Sequence, residues 1–164
     1  KLEAINGDKI RALTIDDFLL RALPFITEAG IISGTDSEKA VIKSVLPIIQ
    51  ERIAKLSEVP QMVKFLFGES VVIDSESKAK ISDDVSKDIL RKSLAALEPL
   101  TNWSHGSIDA ALRAVLIEEM GLKPRIAFGA VRIAVTGSHI SPPLFESMEL
   151  LGKERAITRI KNAI

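Results

Sequence analysis

Apolar residues recur every three or four positions along most of the chain, and this spacing predicts helices. The first clear stripe places five apolar positions on one face: Phe18, Leu19, Ala22, Leu23 and Ile26. Thr14 precedes it as a capping residue, and Asp16 and Asp17 fall in the first turn, where the helix dipole favours negative charge. Gly30 is a natural C-terminal stop. A helix is therefore predicted from about residue 15 to residue 29.

A second, long helix is predicted from Asp36 up to Pro60. Its apolar face has six members: Val41, Val45, Ile48, Ile49, Ile53 and Leu56. Pro47 lies inside it and should kink or split it, because proline lacks the backbone donor that a helix interior uses. Pro60 then opens a short helix, which Gly68 closes.

The pattern changes from residue 71. The stretch VVIDSESKAKISDD is polar after its first three residues and has no sustained period. We therefore predict a boundary there between two consecutive helical-bundle subdomains, residues 1–72 and residues 73–164.

Two further helices are predicted next. Asp83 or Asp84 starts one that ends near Pro99, and Ser104 or Ser107 starts one that ends before Gly121. Four apolar residues of the first should face inward: Val85, Ile89, Leu94 and Leu97. The second has an apolar stripe of six: Ile108, Ala111, Leu112, Val115, Leu116 and Met120.

The segment 128–136 is ambiguous. Val131, Ile133 and Val135 alternate with other residues as in a strand, and their propensity slightly favours a strand. The same segment also has one helical apolar face and is followed by Gly137, a helix stop. Since no other segment is a convincing strand partner, we predict a helix, and the fold class is all-α.

Ser141-Pro142-Pro143 is typical of a helix start, with the Ser141 hydroxyl capping the Leu144 amide. The last helix should begin at Lys153. Three of its apolar residues are expected to face inward: Ala156, Ile157 and Ile160. Three of its cations are expected to face outward: Arg155, Arg159 and Lys161.

Composition excludes several classes of protein. Apolar residues make up 46% and charged residues 27%, which is ordinary for a water-soluble globular chain. There is no cysteine, and His105 and His139 do not have metal-ligand spacing, so neither disulfides nor a metal site is expected. No signal peptide or membrane-spanning run is present, and a cytoplasmic location is expected. The chain starts without methionine inside a predicted helix, so we expect it to be part of a longer protein.

The net charge of +0 conceals a gradient. Residues 121–164 contain 7 basic and 3 acidic residues, a balance of +4, whereas residues 60–120 contain 7 and 10. A basic terminal third suggests an anionic partner such as nucleic acid, although a lysine-rich solvated surface explains it equally well.

No catalytic site is predicted. The acidic pairs at residues 16–17, 83–84 and 118–119 are adjacent in sequence, and adjacent helical side chains point about 100° apart, so they do not converge on a substrate. Two of these pairs stand at helix starts, where carboxylates are stabilising.

Three residues are candidates for binding. Arg132 lies among apolar residues, and its guanidinium needs either the surface or a planar acceptor such as a nucleobase. Arg52 lies beside Glu51 in the predicted long helix, and from the residues alone a local contact or solvent explains it better. Prolines after Ser141 remove two amide donors, which disfavours a phosphate site and suits a hydroxyl that hydrogen-bonds a base edge. A simple capping role for Ser141 is an equal alternative.

These residues lie in segments that resemble the C-terminal anticodon-binding region of bacterial glutamyl-tRNA synthetases. The resemblance is strongest in VRIAVTG (131–137) and ISPPLFESMELLGKERAITRI (140–160), and it extends to KLEAINGDKIRALTIDDF (1–18) and LPIIQERIAKLSEVPQMVKFLF (46–67). It covers nearly the whole chain.

The resemblance implies specific roles and partners. Arg52 would recognise the third anticodon base, Arg132 the middle base, and Ser141 would help to recognise the loop, with Thr136, Leu144 and Arg125 as supporting residues. The partner would be glutamate-specific tRNA, and a catalytic domain N-terminal to Lys1 would use ATP and Mg²⁺ as cofactors. This segment itself would need no cofactor and would not aminoacylate tRNA. The alternative is a helical protein-interaction module with a basic edge.

Overall fold

In a computed structural model, which describes residues 2–68 and 70–164, the chain is helical and the described ranges contain no strand. The prediction of an all-α fold is confirmed. The chain divides into two compact units, residues 1–67 and residues 68–164.

The first unit contains four α-helices and two short 3₁₀ turns. Their bounds are α1 Leu2–Arg11, α2 Ile15–Glu28, α3 Asp36–Ile49, a 3₁₀ turn Leu56–Glu58, α4 Val59–Val63 and a 3₁₀ turn Lys64–Leu66. The α2 and α3 helices pack on each other, and α4 packs against both.

The α2 helix forms as its pattern predicts. The Thr14 side chain accepts a hydrogen bond of 3.2 Å from the Asp17 amide. Phe18, Ala22 and Ile26 are fully buried on one face. Burying a side chain such as Phe18 contributes about 1.5–3 kcal/mol of hydrophobic stabilisation, so this face fixes how α2 packs.

The predicted long helix to Pro60 is wrong. The α3 helix ends at Ile49, two residues after Pro47, and residues 50–55 form a turn. Proline at position 47 removes one helix donor, and Glu58 accepts hydrogen bonds of 2.7 Å from the amides of both Ala54 and Lys55. The turn is therefore stabilised against a continuing helix.

The buried face of α3 agrees with the prediction at Val45 and Ile49 but differs from it elsewhere. Val41 is 36% exposed, whereas Ile42, Val45, Leu46 and Ile49 are fully buried. These four residues have the spacing i, i+3, i+4, i+7 of a single helix face. The prediction wrongly placed Val41 on this face and missed Ile42 and Leu46.

The described residues of the second unit, 68 and 70–164, form six α-helices and one π-helical segment. Their bounds are α5 Ser75–Lys80, α6 Asp84–Leu97, α7 His105–Leu112, a π-helix Arg113–Glu119, α8 Pro124–Thr136, α9 Leu144–Leu151 and α10 Lys153–Ala163. The α6, α8 and α10 helices pack against one another, and α7 packs against α9.

The α8 helix is the centre of this unit and settles the ambiguous segment as a helix, as predicted. Six of its apolar residues are buried: Ala127, Ala130, Val131, Ile133, Ala134 and Val135. A helix buried over most of its circumference has apolar residues at alternating as well as helical spacing, which explains the strand-like pattern.

The structure contradicts one prediction each about α5, α6 and α10. The α5 helix was missed, because its six residues are mostly polar and its start depends on Asp74, whose carboxylate accepts the Ser77 amide at 2.7 Å. Val85, expected inside, is 54% exposed in the first turn of α6. Arg159, expected outside, is 1% exposed.

Candidate nucleic-acid interface

Arg132 and Ser141 lie together in the second unit. Nη1 of Arg132, on the partly exposed side of α8, donates a hydrogen bond of 2.8 Å to Ser141 Oγ and one of 2.9 Å to the Pro142 carbonyl. The Ser141 hydroxyl is also 2.8 Å from the Pro142 carbonyl, to which it donates. These contacts fix the guanidinium plane against the segment that leads into α9.

Ser141 is not the helix cap that we predicted. The α9 helix begins at Leu144, Pro143 occupies the cap position, and no side chain caps the helix there. The Ser141 hydroxyl instead bonds to Arg132 and Pro142. Leu144 is only 4% exposed, so it belongs to the core of the unit.

Thr136 acts from inside the unit. It is 3% exposed, and its hydroxyl lies 2.7 Å from the Arg132 carbonyl and 3.0 Å from the Ser138 carbonyl. These contacts connect the last turn of α8 to the segment that leads to Ser141. Thr136 therefore stabilises the backbone between Arg132 and Ser138.

Gly137 ends α8 in a conformation that requires glycine. Its φ is +82°, and a Cβ added there would lie 2.6 Å from Val71 Cγ2 and 2.7 Å from the Val72 carbonyl oxygen. Real Cβ atoms do not approach other atoms so closely. Only glycine therefore allows the end of α8 to lie this near Val71 and Val72. This close approach of the two backbone segments sets the direction of the chain between Arg132 and Ser141.

Beside Arg132 lies a cavity of about 650 Å³, which we name the α8 groove. Its charged and polar side chains come from four elements and include Lys80, Asp83, Arg125, Arg132 and His139. Its apolar side chains include Ile81, Val85, Ile126, Phe128 and Ile133. The supporting candidate Arg125 is exposed at this groove.

Two contacts stabilise the polar side of the α8 groove. His139 Nδ1 lies 3.3 Å from the buried Ser77 hydroxyl, and His139 Nε2 lies 4.0 Å from Glu76. At the start of α6, hydrogen bonds from the Ser86 backbone amide and hydroxyl lower the pKa of Asp83. Asp83 therefore presents an ionised carboxylate at the groove.

Two cations of α10 bind backbone carbonyls of the second unit. Arg159 is buried and donates to the carbonyls of Val135 at 2.9 Å and Gly68 at 2.7 Å. Lys153 donates to the carbonyls of Glu98 and Leu100, both at 2.7 Å. These cations therefore satisfy backbone acceptors, and the exposed basic residues of this part of the chain include Lys123 and Arg125 at the start of α8.

Arg52 belongs to the first unit and is exposed. It lies in the turn after α3, not on the helix, and its amide donates to the Ile49 carbonyl at 2.9 Å. A turn position leaves the long side chain on the surface, where it can reach a ligand. Its assigned role in base recognition stays a prediction.

Several groove residues had no signal in the sequence. Lys80 lies in α5, which the pattern did not predict, and Gly129 and Phe128 lie in a segment whose pattern predicts only packing. His139 was considered only as a metal ligand. They share a surface because α5, α6 and α8 pack together, which no local pattern shows.

Two classes of site are not found in the structure. Among residues 2–68 and 70–164, no three metal-binding side chains cluster. None of the helices in the described part of the chain has the length and hydropathy of a membrane-spanning segment.

Comparison with known proteins adds independent findings. The family model described as "Anticodon binding domain" matches residues 17–164. The chain is 44% identical over 168 residues to a protein named Glutamate--tRNA ligase from Nocardioides sp., and 43% identical over 166 residues to one of the same name from Leifsonia xyli subsp. xyli. These matches cover 100% and 98% of this chain, but 34% of each relative, so the chain spans about a third of their length.

A solved structure shows the same fold. The chain matches the crystal structure of a glutamate tRNA ligase from Elizabethkingia meningosepticum with a TM-score of 0.74. The match has 18% sequence identity and covers 98% of this chain and 31% of that one. At this identity the likeness establishes the fold alone.

Proposed function

This chain belongs to the anticodon-binding domain family, and from that premise we propose that it recognises the anticodon loop of glutamate-specific tRNA. The observation that most supports this function is the family match over residues 17–164. The names of the relatives, Glutamate--tRNA ligase, support the choice of amino acid.

We further propose that the chain is one segment of a longer cytoplasmic ligase. Because it spans about a third of its relatives, the remaining part would contain the catalytic domain, N-terminal to Lys1. That domain would bind ATP and Mg²⁺ and attach glutamate to the tRNA. The segment described here would supply recognition of the tRNA and no catalysis.

The geometry around Arg132 suits a single-stranded RNA loop. Loops expose unstacked bases, which arginine can stack on or hydrogen-bond through its planar fork. The contacts with Ser141 and Pro142 hold this fork in one plane at the surface of α8. A guanidinium held before the ligand arrives loses less side-chain entropy on binding, which favours selective recognition.

Arg52 would supply a second contact, to the third anticodon base. Its exposure after α3 is compatible with this role, and the resemblance of residues 46–67 to the family supports it. We propose that Arg52, Arg132 and Ser141 contact the same bound loop, with Arg125 near its phosphates.

The test is binding of an RNA hairpin that copies the anticodon stem-loop of glutamate tRNA. A second hairpin differs only in the third anticodon base. We expect the first to bind about 5–100-fold more tightly, which corresponds to roughly 1–3 kcal/mol for one recognised base. We also expect affinity to fall steeply as salt rises, because phosphate contacts release counterions.

Two outcomes would contradict the proposal. Equal affinity for both hairpins would show that the chain does not recognise that base. Binding of neither hairpin, even at low salt, would favour the alternative of a protein-interaction module. The Arg132→Ala variant is the companion measurement, and it should weaken binding of the cognate hairpin by a similar factor.

A further inference from the structure

We propose that the first unit contains a binding site for a small organic anion, a carboxylate or phosphate monoester that carries an alkyl or aromatic body. The site is a surface groove between the end of α1, one side of α2 and the turn at residues 55–57, and we name it the α1–α2 groove. This binding is separate from the RNA recognition proposed above, and its test does not depend on that function.

The α1–α2 groove has the size of a small-molecule site. Its volume is about 670 Å³, and sites for small organic ligands in proteins occupy roughly 300–1,000 Å³. Three separate segments of the chain contribute to its walls. A ligand in the groove therefore contacts protein on more than one side.

The rim of the α1–α2 groove is cationic. Lys9, Arg21 and Lys55 line the groove, and all three are exposed. None of the described lining residues is a carboxylate. Lysine and arginine side chains are long enough to converge on one anionic group, and arginine can bond a carboxylate or phosphate through two donors. The rim therefore attracts an anion.

Two carboxylates that flank lining residues in the sequence bond to other groups. Asp8 forms an ion pair with Arg11. Glu58 accepts hydrogen bonds of 2.7 Å from the backbone amides of Ala54 and Lys55. These two acids are held by local partners, so they leave the cationic rim available to a ligand.

The floor of the α1–α2 groove is apolar. Ile10 is buried, Leu13 and Leu56 are half-buried, and the aromatic ring of Phe25 is 38% exposed. An apolar group that covers these side chains removes their surface from water, which favours binding. The floor therefore selects a ligand with an alkyl or aromatic body.

Two hydrogen bonds hold part of this floor in place. Nε2 of Gln50, the residue that follows α3, donates to the Ile10 carbonyl at 2.8 Å and to the Leu13 carbonyl at 2.9 Å. The backbone at the end of α1 is therefore fixed before a ligand arrives. A preformed site loses less conformational entropy on binding than a mobile one.

The lining favours a small organic anion over an RNA strand. Recognition of an unstacked base uses polar groups that meet the edges of the base. Ser57 is the one uncharged polar side chain among the described lining residues. An inorganic anion, in contrast, would leave the apolar floor in contact with water. A ligand with both an anionic head and an apolar body matches the rim and the floor together.

The first measurement is a fluorescence titration of the full chain with 8-anilinonaphthalene-1-sulfonate. This probe combines aromatic rings with a sulfonate, and its emission rises in an apolar site. N-phenyl-1-naphthylamine has the same rings without the sulfonate, and we expect it to bind about tenfold more weakly because it lacks the attraction to the rim.

Two variants locate the bound probe. Arg21→Glu should weaken binding of the sulfonate probe about tenfold, because an attraction becomes a repulsion. Ala12→Trp, at an exposed lining position, should fill the groove and weaken both probes. Lys64→Glu and Ala40→Trp are the matched controls at exposed positions of the same unit outside the groove, and they should leave binding unchanged.

Competition then identifies the class of ligand. Octanoate represents alkyl carboxylates and phenyl phosphate represents aromatic phosphates, and we expect at least one of them to displace the sulfonate probe. Inorganic phosphate, which has no apolar body, should not displace it at the same concentration. Failure of both organic anions, or equal displacement by inorganic phosphate, would overturn the proposed ligand class.

The remaining outcomes separate this site from RNA recognition. Unchanged probe binding in both Arg21→Glu and Ala12→Trp would overturn the site. Displacement of the Arg21-dependent probe by the cognate anticodon hairpin would also overturn it, because the groove would then be part of the RNA surface, while the proposed function would stand. Persistence of the probe with the hairpin bound would support a separate site.

Discussion

A hydrogen bond of 2.8 Å joins Nη1 of Arg132 to Oγ of Ser141, two residues nine positions apart on either side of the glycine that ends α8. The hydroxyl accepts from the guanidinium and donates to the Pro142 carbonyl. Ser141 therefore holds Arg132 in place, whether or not its own hydroxyl also reaches a base.

This relationship predicts that the effects of the two residues on RNA binding are coupled. Ser141→Ala should weaken binding of the cognate hairpin in the wild type but have little effect in an Arg132→Ala background. The coupling free energy should be about 1 kcal/mol, as for other side chains in direct contact. Ser141→Thr keeps the hydroxyl and should restore binding. Strictly additive effects in the four-variant cycle would instead mean that Ser141 contacts the RNA independently.

Arg52→Ala should mainly affect the choice of the third anticodon base. We expect the affinity difference between the two hairpins to shrink by about 1–3 kcal/mol, because one arginine–base contact is lost. Lys64→Ala removes another exposed cation of the same unit and serves as the control for general loss of charge. If both variants weaken both hairpins equally, Arg52 acts only as a phosphate contact.

Arg159→Leu should destabilise the second unit. The guanidinium donates to the Val135 carbonyl, which lies in the last turn of α8 where helix amides do not reach, and to the Gly68 carbonyl. The Val135 carbonyl is buried, and a buried carbonyl left without a partner costs about 1–3 kcal/mol. Urea denaturation measures this loss. Lys161→Leu, on the exposed side of α10, breaks only a surface pair with Glu98 and should change stability by about 1 kcal/mol or less.

Gly137→Ala should destabilise the chain more than Gly121→Ala. Both glycines have positive φ, +82° and +67°, but only at Gly137 would the new Cβ overlap Val71 and Val72. The steric overlap should add roughly 1–3 kcal/mol to the backbone cost that the two substitutions share. Thermal unfolding followed by circular dichroism compares them. Equal losses of stability in the two variants would show that Val71 and Val72 can move away from position 137 at little cost in free energy.

Glu38 should make the stability of the first unit depend on pH in acid. Hydrogen bonds from the backbone amides of Thr35, Gly34 and Ser33 lower the pKa of Glu38 to about 2, from an ordinary value of 4.5. Because the folded-state pKa is depressed, the stabilisation is complete above about pH 4.5 and is lost as pH falls towards 2.

The corresponding variant is Glu38→Gln. It should lower stability near neutral pH and flatten the dependence of the unfolding free energy on pH within that window, as measured by urea denaturation. Glu51→Gln, at an exposed position after α3, is the control. An unchanged pH dependence in Glu38→Gln would show that other carboxylates cause the acid sensitivity.

Local features of the sequence were sufficient for most of the helices. Thr14 caps α2 as predicted, because a cap involves only residues within three positions of it. Asp83 and Ser104, each one of two candidates predicted to start a helix, cap α6 and α7. The apolar periodicity of α2 and the end of this helix before Gly30 also depend only on residues a few positions apart in the sequence. The helix choice for residues 128–136 required one further inference, that a strand has no partner here.

The site could be predicted only in part. The family resemblance identifies Arg132 and Ser141 as site residues. It does not predict the hydrogen bond between them, because the sequence pattern predicts that the Ser141 hydroxyl caps the Leu144 amide. The α8 groove was not predicted at all, since its residues come from α5, α6, α8 and the segment at His139. Such a surface depends on how the helices pack and not on any spacing along the chain.

By itself the sequence determined the helical class, most helix starts and the family, because these depend on residue type and on neighbours a few positions away. Only the tertiary structure decided that Arg159 is buried, that Arg132 bonds to Ser141, and that α8 borders a groove. The physical reason is that burial and long-range hydrogen bonds arise when separate helices pack. The Gly68 carbonyl is 91 positions away from Arg159 along the chain, so it can accept a hydrogen bond from this arginine only after the unit has folded.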